Sequence, residues 1–510
     1  MSEKRRLISN TAANGIAQFT AMASSLIFMP LLINEFGTTD FGLFILASAV
    51  AAYASLVDFG VGTSLIKNIA ERAAVNDAEG IGKYISTGLA FYLVIGVLVA
   101  IVIAAFAFVS GAVFKVSAES AALLRNLLIV VAVSSLWVWP GSTAIYVLAG
   151  FQRYTLTAAT ALGVSLGNVG VILVVLITHQ GPVALLAGQS AVALIGVAFN
   201  IAFARRAIGD IKVNPGLANP EVFRDILSFS WVIFVLQICT IVIYQQTDRM
   251  ILGIFLGASA VTMYEAAGKM QGLVTQLTQF ATSAVMPFAS QLDAEGRESS
   301  IQTLFFRGTK YVMALVLPAV VGLMILASPL ITEWLGPEFA GMALAAQILL
   351  SYQIICVSPV VGEAILFARG NARKRLFNSI FVVTLGNLVL SLVLVQRIGI
   401  LGVVIGTAVP WLIDFPWRLR TALREVDVSV KDWFMRAAGP VYLSLFGTAA
   451  VALLAYLTPL VNSLVGLGFV LVLGVAVSWA FLARFTLTDV EKSELNALVF
   501  RLTLRLRQPR

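Results

Sequence analysis

Lys269 stands deep in a long apolar stretch, one helical turn after Glu265, in a chain where charge is scarce. The i,i+4 spacing puts both on one helix face, and an ionisable group at membrane depth is a functional candidate by default. Lys269 lies about nine residues into its expected helix, roughly 14 Å at 1.5 Å per residue. Such a cation can touch a phosphate or an acidic sugar; the competing reading is a pair that neutralises itself. Arg307 and Lys310, three residues apart, make a second cationic face roughly 6–10 Å from the inner end of their helix. Snorkelling accounts for Arg307 and less readily for Lys310. A lipid diphosphate arriving from the inner leaflet would be received by positive charge at that depth.

The other buried ionisable groups divide by role. Asp58 opens Asp-Phe-Gly-Val-Gly, where the glycines permit close helix approach; it is a candidate carboxylate for a coupling ion, or for packing or gating. Asp248 and Arg249 are expected at an outer helix end, as a gate or boundary. Glu363 and Asp414 fall in the inner halves of their helices, and Asp414 with Arg418 is expected to form a local i,i+4 ion pair. Arg125 is expected to snorkel outward. Uncharged polar residues at helical spacing, Asn10, Asn14, Gln18 and Ser25 in the first helix and Ser228, Gln237, Tyr244 and Gln245 in the seventh, offer donors and acceptors either to sugar hydroxyls or to neighbouring helices. One histidine, His179, and two cysteines, Cys239 and Cys356, support neither a metal cluster nor a disulfide framework. No Gly-rich phosphate loop ending in Lys-Ser/Thr is present. No cofactor is therefore expected, and coupling to H+ or Na+ is left open.

The elements that hold these residues follow from composition. The chain has 510 residues, 59% hydrophobic and 12% charged, half the charge of an average soluble domain. Its apolar runs are continuous rather than alternating, which excludes a barrel and implies a polytopic all-α membrane protein. About fourteen spans are expected: near 9–33, 41–66, 84–109, 122–148, 154–178 and 182–204; then 222–247, 260–289, 303–327, 340–368, 375–396 and 400–422; then 434–457 and 461–484. MSEKRR runs straight into the first of them, so no cleaved signal peptide is expected. Lys and Arg crowd alternate loops, as at Lys67, Arg72 and Lys83, at Arg205 and Arg206, and at Arg369 and Arg373, while the opposite loops hold Lys115, Arg249 and Arg397. The positive-inside rule then makes both termini cytoplasmic. The net charge of +8 is a topology signal, with no nucleic-acid partner implied.

Landmarks recur at an offset of about 220. Leu166-Gly167-Asn168 matches Leu385-Gly386-Asn387, Pro140 matches Pro359, and Gly37 and Phe44 match Gly257 and Tyr264. An even number of helices per repeat makes the two halves parallel. The expected organisation is a six-helix bundle over 1–206, a second over 207–425, two further helices over 426–485, and a basic amphipathic tail over 486–510 that either lies on the inner leaflet or packs on cytoplasmic loops. Thr488 to Glu491 reads as a capping box that starts the tail helix.

Asp248-Arg249-Met250-Ile251-Leu252-Gly253, then Tyr264-Glu265-Ala266-Ala267-Gly268-Lys269, resembles a signature of polysaccharide-type flippases. Pro30-Leu31-Leu32, Phe41-Gly42-Leu43-Phe44 and Leu56-Val57-Asp58-Phe59-Gly60 resemble the first two helices of the Wzx-type O-antigen and exopolysaccharide translocases, in the multidrug/oligosaccharidyl-lipid/polysaccharide exporter superfamily. The resemblance implies two six-helix bundles arranged as a V around a central cavity. It implies flipping of an undecaprenyl-diphosphate-linked oligosaccharide to the outer leaflet of the bacterial cytoplasmic (inner) membrane. Membrane lipids, a polysaccharide polymerase and a chain-length regulator are the partners expected with it. A cation-coupled multidrug exporter of the same superfamily is the alternative. A membrane glycosyltransferase or polymerase would need acidic catalytic motifs in sizeable outer loops, and the stretches 110–121 and 328–340 are short; the chain is not expected to be an enzyme.

Overall fold

Hydrocarbon offers a peptide group no hydrogen-bond partner, so spanning segments satisfy their backbone internally, and every regular element among the described residues is helical. The structure, a computed structural model, describes residues 3–228, 247–371, 379–486 and Glu491, without the side chains of residues 3–19, 379 and 380. Eleven helical stretches among them are long and apolar enough to cross a membrane, against about fourteen expected. The difference has local causes. The first two expected spans form one helix, α1 (Glu3–Ala54), broken at Gly37, where φ 77° and ψ 167° are open to glycine and to little else. Most of the span expected at 222–247 lies outside the described residues. The eighth, α9 (Ala258–Thr282), carries Glu265, Lys269, Gln271, Gln276 and Gln279 and is too polar to count among the apolar spans. It stops short of the expected 289 because Pro287 has no N–H for the carbonyl of Ser283. The span expected at 340–368 is likewise interrupted. Pro359 cannot donate to Ile355, whose carbonyl takes the Ser358 hydroxyl instead at 2.8 Å.

The described chain separates into two compact units, Met1–Glu265 with Leu388–Val403, and Ala266–Asn387 with Val404–Arg510. In the first, α1 is followed by a 3-10 turn (Ser55–Asp58) and by α2 (Val61–Ala74), α3 (Ala78–Val113), α4 (Ala118–Gly150), α5 (Tyr154–Ile177) and α6 (Pro182–Ile208). A helical stretch over the described residues 220–228 (α7), then α8 (Thr247–Leu256) and the start of α9, follow. Side-chain caps fix the starts: Asp77 accepts from Gly80 N and Ser117 from Ser120 N. Val61, Leu65 and Ile69 of α2, Tyr84 and Tyr92 of α3, and Leu148 of α4 close the core.

Gly257, between α8 and α9, repeats the positive φ of Gly37 at 87°, at the offset read from the sequence. The two turns meet. The Ser259 hydroxyl donates to Thr38 Oγ1 at 3.1 Å, and Thr262 Oγ1 donates to the Thr38 carbonyl at 2.7 Å. Gly42 makes the approach possible, since a Cβ there would stand 2.0 Å from the Ala258 carbonyl oxygen.

The second unit holds α10 (Val285–Ala294), α11 (Glu298–Ile325), α12 (Ala327–Leu335), α13 (Ala343–Ser351), α14 (Gln353–Cys356) and α15 (Val360–Ala368). α16 (Gly386–Ile398) belongs to the first unit from Leu388 on, as does the first turn of α17 (Ile400–Glu425); the rest of α17, α18 (Gly439–Ala455) and α19 (Leu464–Phe485) complete the second. Arg369 ties four of these together at one end. Its guanidinium reaches Asp293 at 2.9 Å, Glu298 at 2.6 Å and the Glu425 carbonyl at 2.6 Å. The last two helices pack through small polar residues: Thr448 Oγ1 donates to the Gly474 carbonyl at 2.8 Å, and Ser478 Oγ to the Ser444 carbonyl at 2.7 Å.

Candidate functional site

In the first unit Asp58 ends the 3-10 turn, and the chain reverses through Phe59 (φ 49°) and Gly60 (φ 77°) before α2 begins. The carboxylate is buried and takes the Tyr92 hydroxyl, and Tyr146 O–H reaches the same oxygen at 3.5 Å. Gly62 leaves room for the Tyr146 ring, which a Cβ there would meet at 2.3 Å. A recess of about 260 Å³ opens beside Asp58, lined by Ser55, Ser134, Ser135, Trp139 and Ser142. Two phenols and several hydroxyls around one carboxylate make a polar pocket in an apolar unit. Neither tyrosine stands out in the sequence, because Tyr92 and Tyr146 lie 34 and 88 residues from Asp58.

The sequence places Asp248 and Arg249 at an outer helix end. The helix does not end there: within the described residues α8 carries on past them through the apolar run Met250–Leu256 to Gly257. Their partners come from α9. Arg249 Nε and Nη2 hold both oxygens of Glu265 at 2.9 and 3.1 Å, and Tyr264 O–H donates to Asp248 at 2.5 Å. Glu265 therefore belongs to a bidentate ion pair reaching across to α8. Tyr53 joins Thr247 beside it, at 2.8 Å. Lys269 sits one turn along α9, half-buried.

In the second unit Arg418 corrects another expectation. Its fork closes on Glu363, Nε at 2.7 Å and Nη2 at 3.0 Å, rather than on Asp414 one turn away. Both ends are buried, and a planar guanidinium against a carboxylate satisfies two donors at once. The guanidinium also lies 4.7 Å from the Trp411 ring centroid, and Trp411 stacks on Tyr352 at 6.0 Å. Tyr352 O–H accepts from Gln271 Nε2 at 2.6 Å, so the chain of contacts ends two residues past Lys269 on α9. Trp411, Asp414 and Arg418 share one face of α17 by their spacing of three and four, the one sequence signal that marks Trp411. Asp414 is buried.

Lys310 is buried in α11, and its ammonium lies 3.0 and 3.1 Å from the two oxygens of Glu491. Glu491, read from sequence as a cap for the tail helix, is itself 3% exposed. Contact with Lys310 places this residue inside the second unit rather than on a leaflet surface. Arg307, one turn before, is half-buried. The side chains of Asn14 and Gln18 lie outside the described residues, as do Gln237, Tyr244 and the rest of the tail. Among the described residues no group of three His, Cys, Asp or Glu is placed to hold a metal.

Comparison with known proteins adds the lineage. The family model described as "Polysaccharide biosynthesis protein" matches residues 7–293. Two relatives from Haloferax volcanii are similar. The "Probable flippase AglR" is 24% identical over 74% of this chain and 75% of its own length. The "Probable low-salt glycan biosynthesis flippase Agl15" is 26% identical over 34% of this chain, and that match spans only 36% of the relative. Among solved structures, the lipid II flippase MurJ in an inward closed conformation aligns with a TM-score of 0.67 at 17% identity, over 92% of this chain and 98% of its own. An inward-facing MATE-family multidrug transporter aligns with 0.64 at 16%, over 83% and 99%. Identities this low speak for the fold, which these two structures share with the chain; the family is fixed by the match across more than half of the sequence. The chain belongs to the polysaccharide biosynthesis protein family.

Proposed function

We propose that this protein is a flippase that carries a lipid-linked oligosaccharide across the membrane by alternating access. The substrate in this reading is an undecaprenyl-diphosphate-linked glycan destined for O-antigen or exopolysaccharide. It moves from the cytoplasmic to the outer leaflet of a bacterial cytoplasmic membrane in which both chain termini are cytoplasmic. An H+ or Na+ gradient supplies the energy, and a polymerase with a chain-length regulator takes the product. The relatives named as probable flippases support the transport class. The observation that carries the substrate chemistry is Lys310, an ammonium buried in α11 whose two contacts are the oxygens of a carboxylate from the C-terminal tail. A diphosphate offers the same acceptor oxygens with more charge, so it can replace Glu491 where an uncharged drug cannot. Lys269 is the second cation proposed to touch substrate.

Purified protein in proteoliposomes with a fluorescent lipid-linked oligosaccharide tests this. Lys269→Ala and Lys310→Ala, combined in a Glu491→Gln background so that no carboxylate is stranded, should slow translocation at least about tenfold, the loss of roughly 1.4 kcal/mol of contact. An unchanged rate at wild-type abundance would sink the assignment of these cations. Because the fold is shared with a multidrug transporter, drug efflux is the second reading to run in the same vesicles. Efflux of a hydrophobic cation without glycan translocation would favour it.

A further inference from the structure

α5 and α6 form an antiparallel hairpin joined by the short link Thr178–Gly181, and their apolar windows are the least buried of the eleven spans. Between them runs an apolar groove of about 310 Å³, lined by Ala159, Gly163, Ile195, Gly196, Phe199 and Phe203. Its floor is made by absent side chains. Gly196 lets α5 close in, since a Cβ there would meet Val164 at 2.6 Å, whereas Gly163 has nothing within 4 Å of where its Cβ would stand. Ile195 and Phe199 rise from the α6 wall, 57% and 55% exposed. Along α6 the lining runs from Val192 to Phe203, about 16 Å of helix.

One end of the groove is charged. Arg205 and Arg206 follow Phe203 in the last turn of α6, both exposed, and Arg153, exposed, precedes the first turn of α5. The antiparallel hairpin brings those two helix ends to the same side. The other end, at Thr178–Gly181, carries no arginine or lysine. A narrow apolar channel that ends in guanidinium groups is complementary to a single-chain amphiphile with an anionic head.

We propose that the α5–α6 groove holds the isoprenoid chain of a polyprenyl diphosphate carrier in a docked state that precedes translocation, with its diphosphate at Arg153, Arg205 and Arg206 before the head group passes to Lys310. The inference rests on the lipid-linked substrate proposed above and adds a site for the part of it that never leaves the bilayer. One narrow channel accepts one chain, and the methyl branches of an isoprenoid fit over Ala159 and Gly163. A two-chain phospholipid leaves its second chain outside, so it gains less apolar contact for the same head-group charge.

The test uses the full chain in nanodiscs and a polyprenyl diphosphate carrying a diazirine on its isoprenoid chain, with a diazirine-bearing phosphatidylglycerol as comparator. Wild type should be labelled within α5 and α6. Gly163→Phe should lower that labelling at least about tenfold by filling open space, and Arg205→Gln with Arg206→Gln should lower it as well. Gly170 also has nothing within 4 Å of its Cβ position and lies outside the groove, so Gly170→Phe should leave labelling unchanged and controls for folding. Equal labelling of Gly163→Phe and wild type, or equal labelling by phosphatidylglycerol, would overturn the site. Translocation is read separately. Groove labelling without any glycan translocation by wild type supports the site and defeats the transport reading. Translocation with labelling confined to other helices leaves transport standing and overturns the site.

Discussion

At the scale of residues, the ionisable groups in the spans are expensive, and among the described residues Arg249, Lys310 and Arg418 are each held by a carboxylate at two points. Arg418 with Glu363 is deeply enclosed, with side chains 6% and 10% exposed. Two opposite charges in such a setting roughly balance desolvation against attraction, but one alone does not. Glu363→Gln or Arg418→Met should therefore each cost about 3–5 kcal/mol, read as a lowered unfolding temperature in detergent. The double variant Glu363→Leu with Arg418→Met should recover most of the loss; additive losses would mean that the pair is not the unit that matters. These charges stand out in the sequence because an Arg inside an apolar run is conspicuous. Their partners do not, because the i,i+4 rule sees one turn and the chain does the rest. Glu265 is 16 residues from Arg249, Glu363 is 55 from Arg418, and Glu491 is 181 from Lys310. The neutral residues that complete the sites, Tyr92, Tyr146 and Trp411, carry no signal against a background of 51 aromatics.

At the scale of elements, apolar run length defines most helices, and glycine decides how they meet. The sequence pairs Gly37 with Gly257, and both take positive φ in the fold, so a weak offset in letters corresponds to one backbone conformation used twice. The contact between the two turns is not written in that offset. It depends on Gly42, whose role appears only when Ala258 is placed against it. The contrast with Gly163 gives a test with opposite signs. Gly42→Ala drives a methyl into a backbone carbonyl and should destabilise by about 1–3 kcal/mol, the usual cost of overpacking. Gly163→Ala enters open space on a helix and should be neutral or stabilising by up to about 1 kcal/mol. Thermal unfolding of the two purified variants beside wild type decides it, and a Gly42→Ala melting point at or above wild type would refute the close approach. Proline acts differently from site to site. Pro287 and Pro359 interrupt their helices, whereas Pro30, Pro140, Pro318, Pro410 and Pro416 remain inside theirs, because bending needs room that only the packed fold defines.

At the scale of the whole molecule, two independent observations bear on which way the chain is threaded. The first is the census of Lys and Arg, which alternates along the loops and puts both termini on the basic side. The second is the ion pair between Lys310 and Glu491. Six candidate spans among the described residues lie from Glu298–Ile325 to Leu464–Phe485, and six crossings would return Glu491 to the side on which α11 begins. A buried contact between Glu491 and the first half of α11 requires that return. An odd count would put Glu491 beyond the far end of α11, which Lys310 could not reach. The threading therefore predicts one pattern of reporters. A fluorescent protein fused after Arg510 should fold and fluoresce on the cytoplasmic side, and so should one inserted at Gly296, between α10 and α11. Alkaline phosphatase inserted at Val116, between α3 and α4, should be active outside. Activity of phosphatase at Arg510 or Gly296 would reverse the threading, and the proposed direction of transport with it.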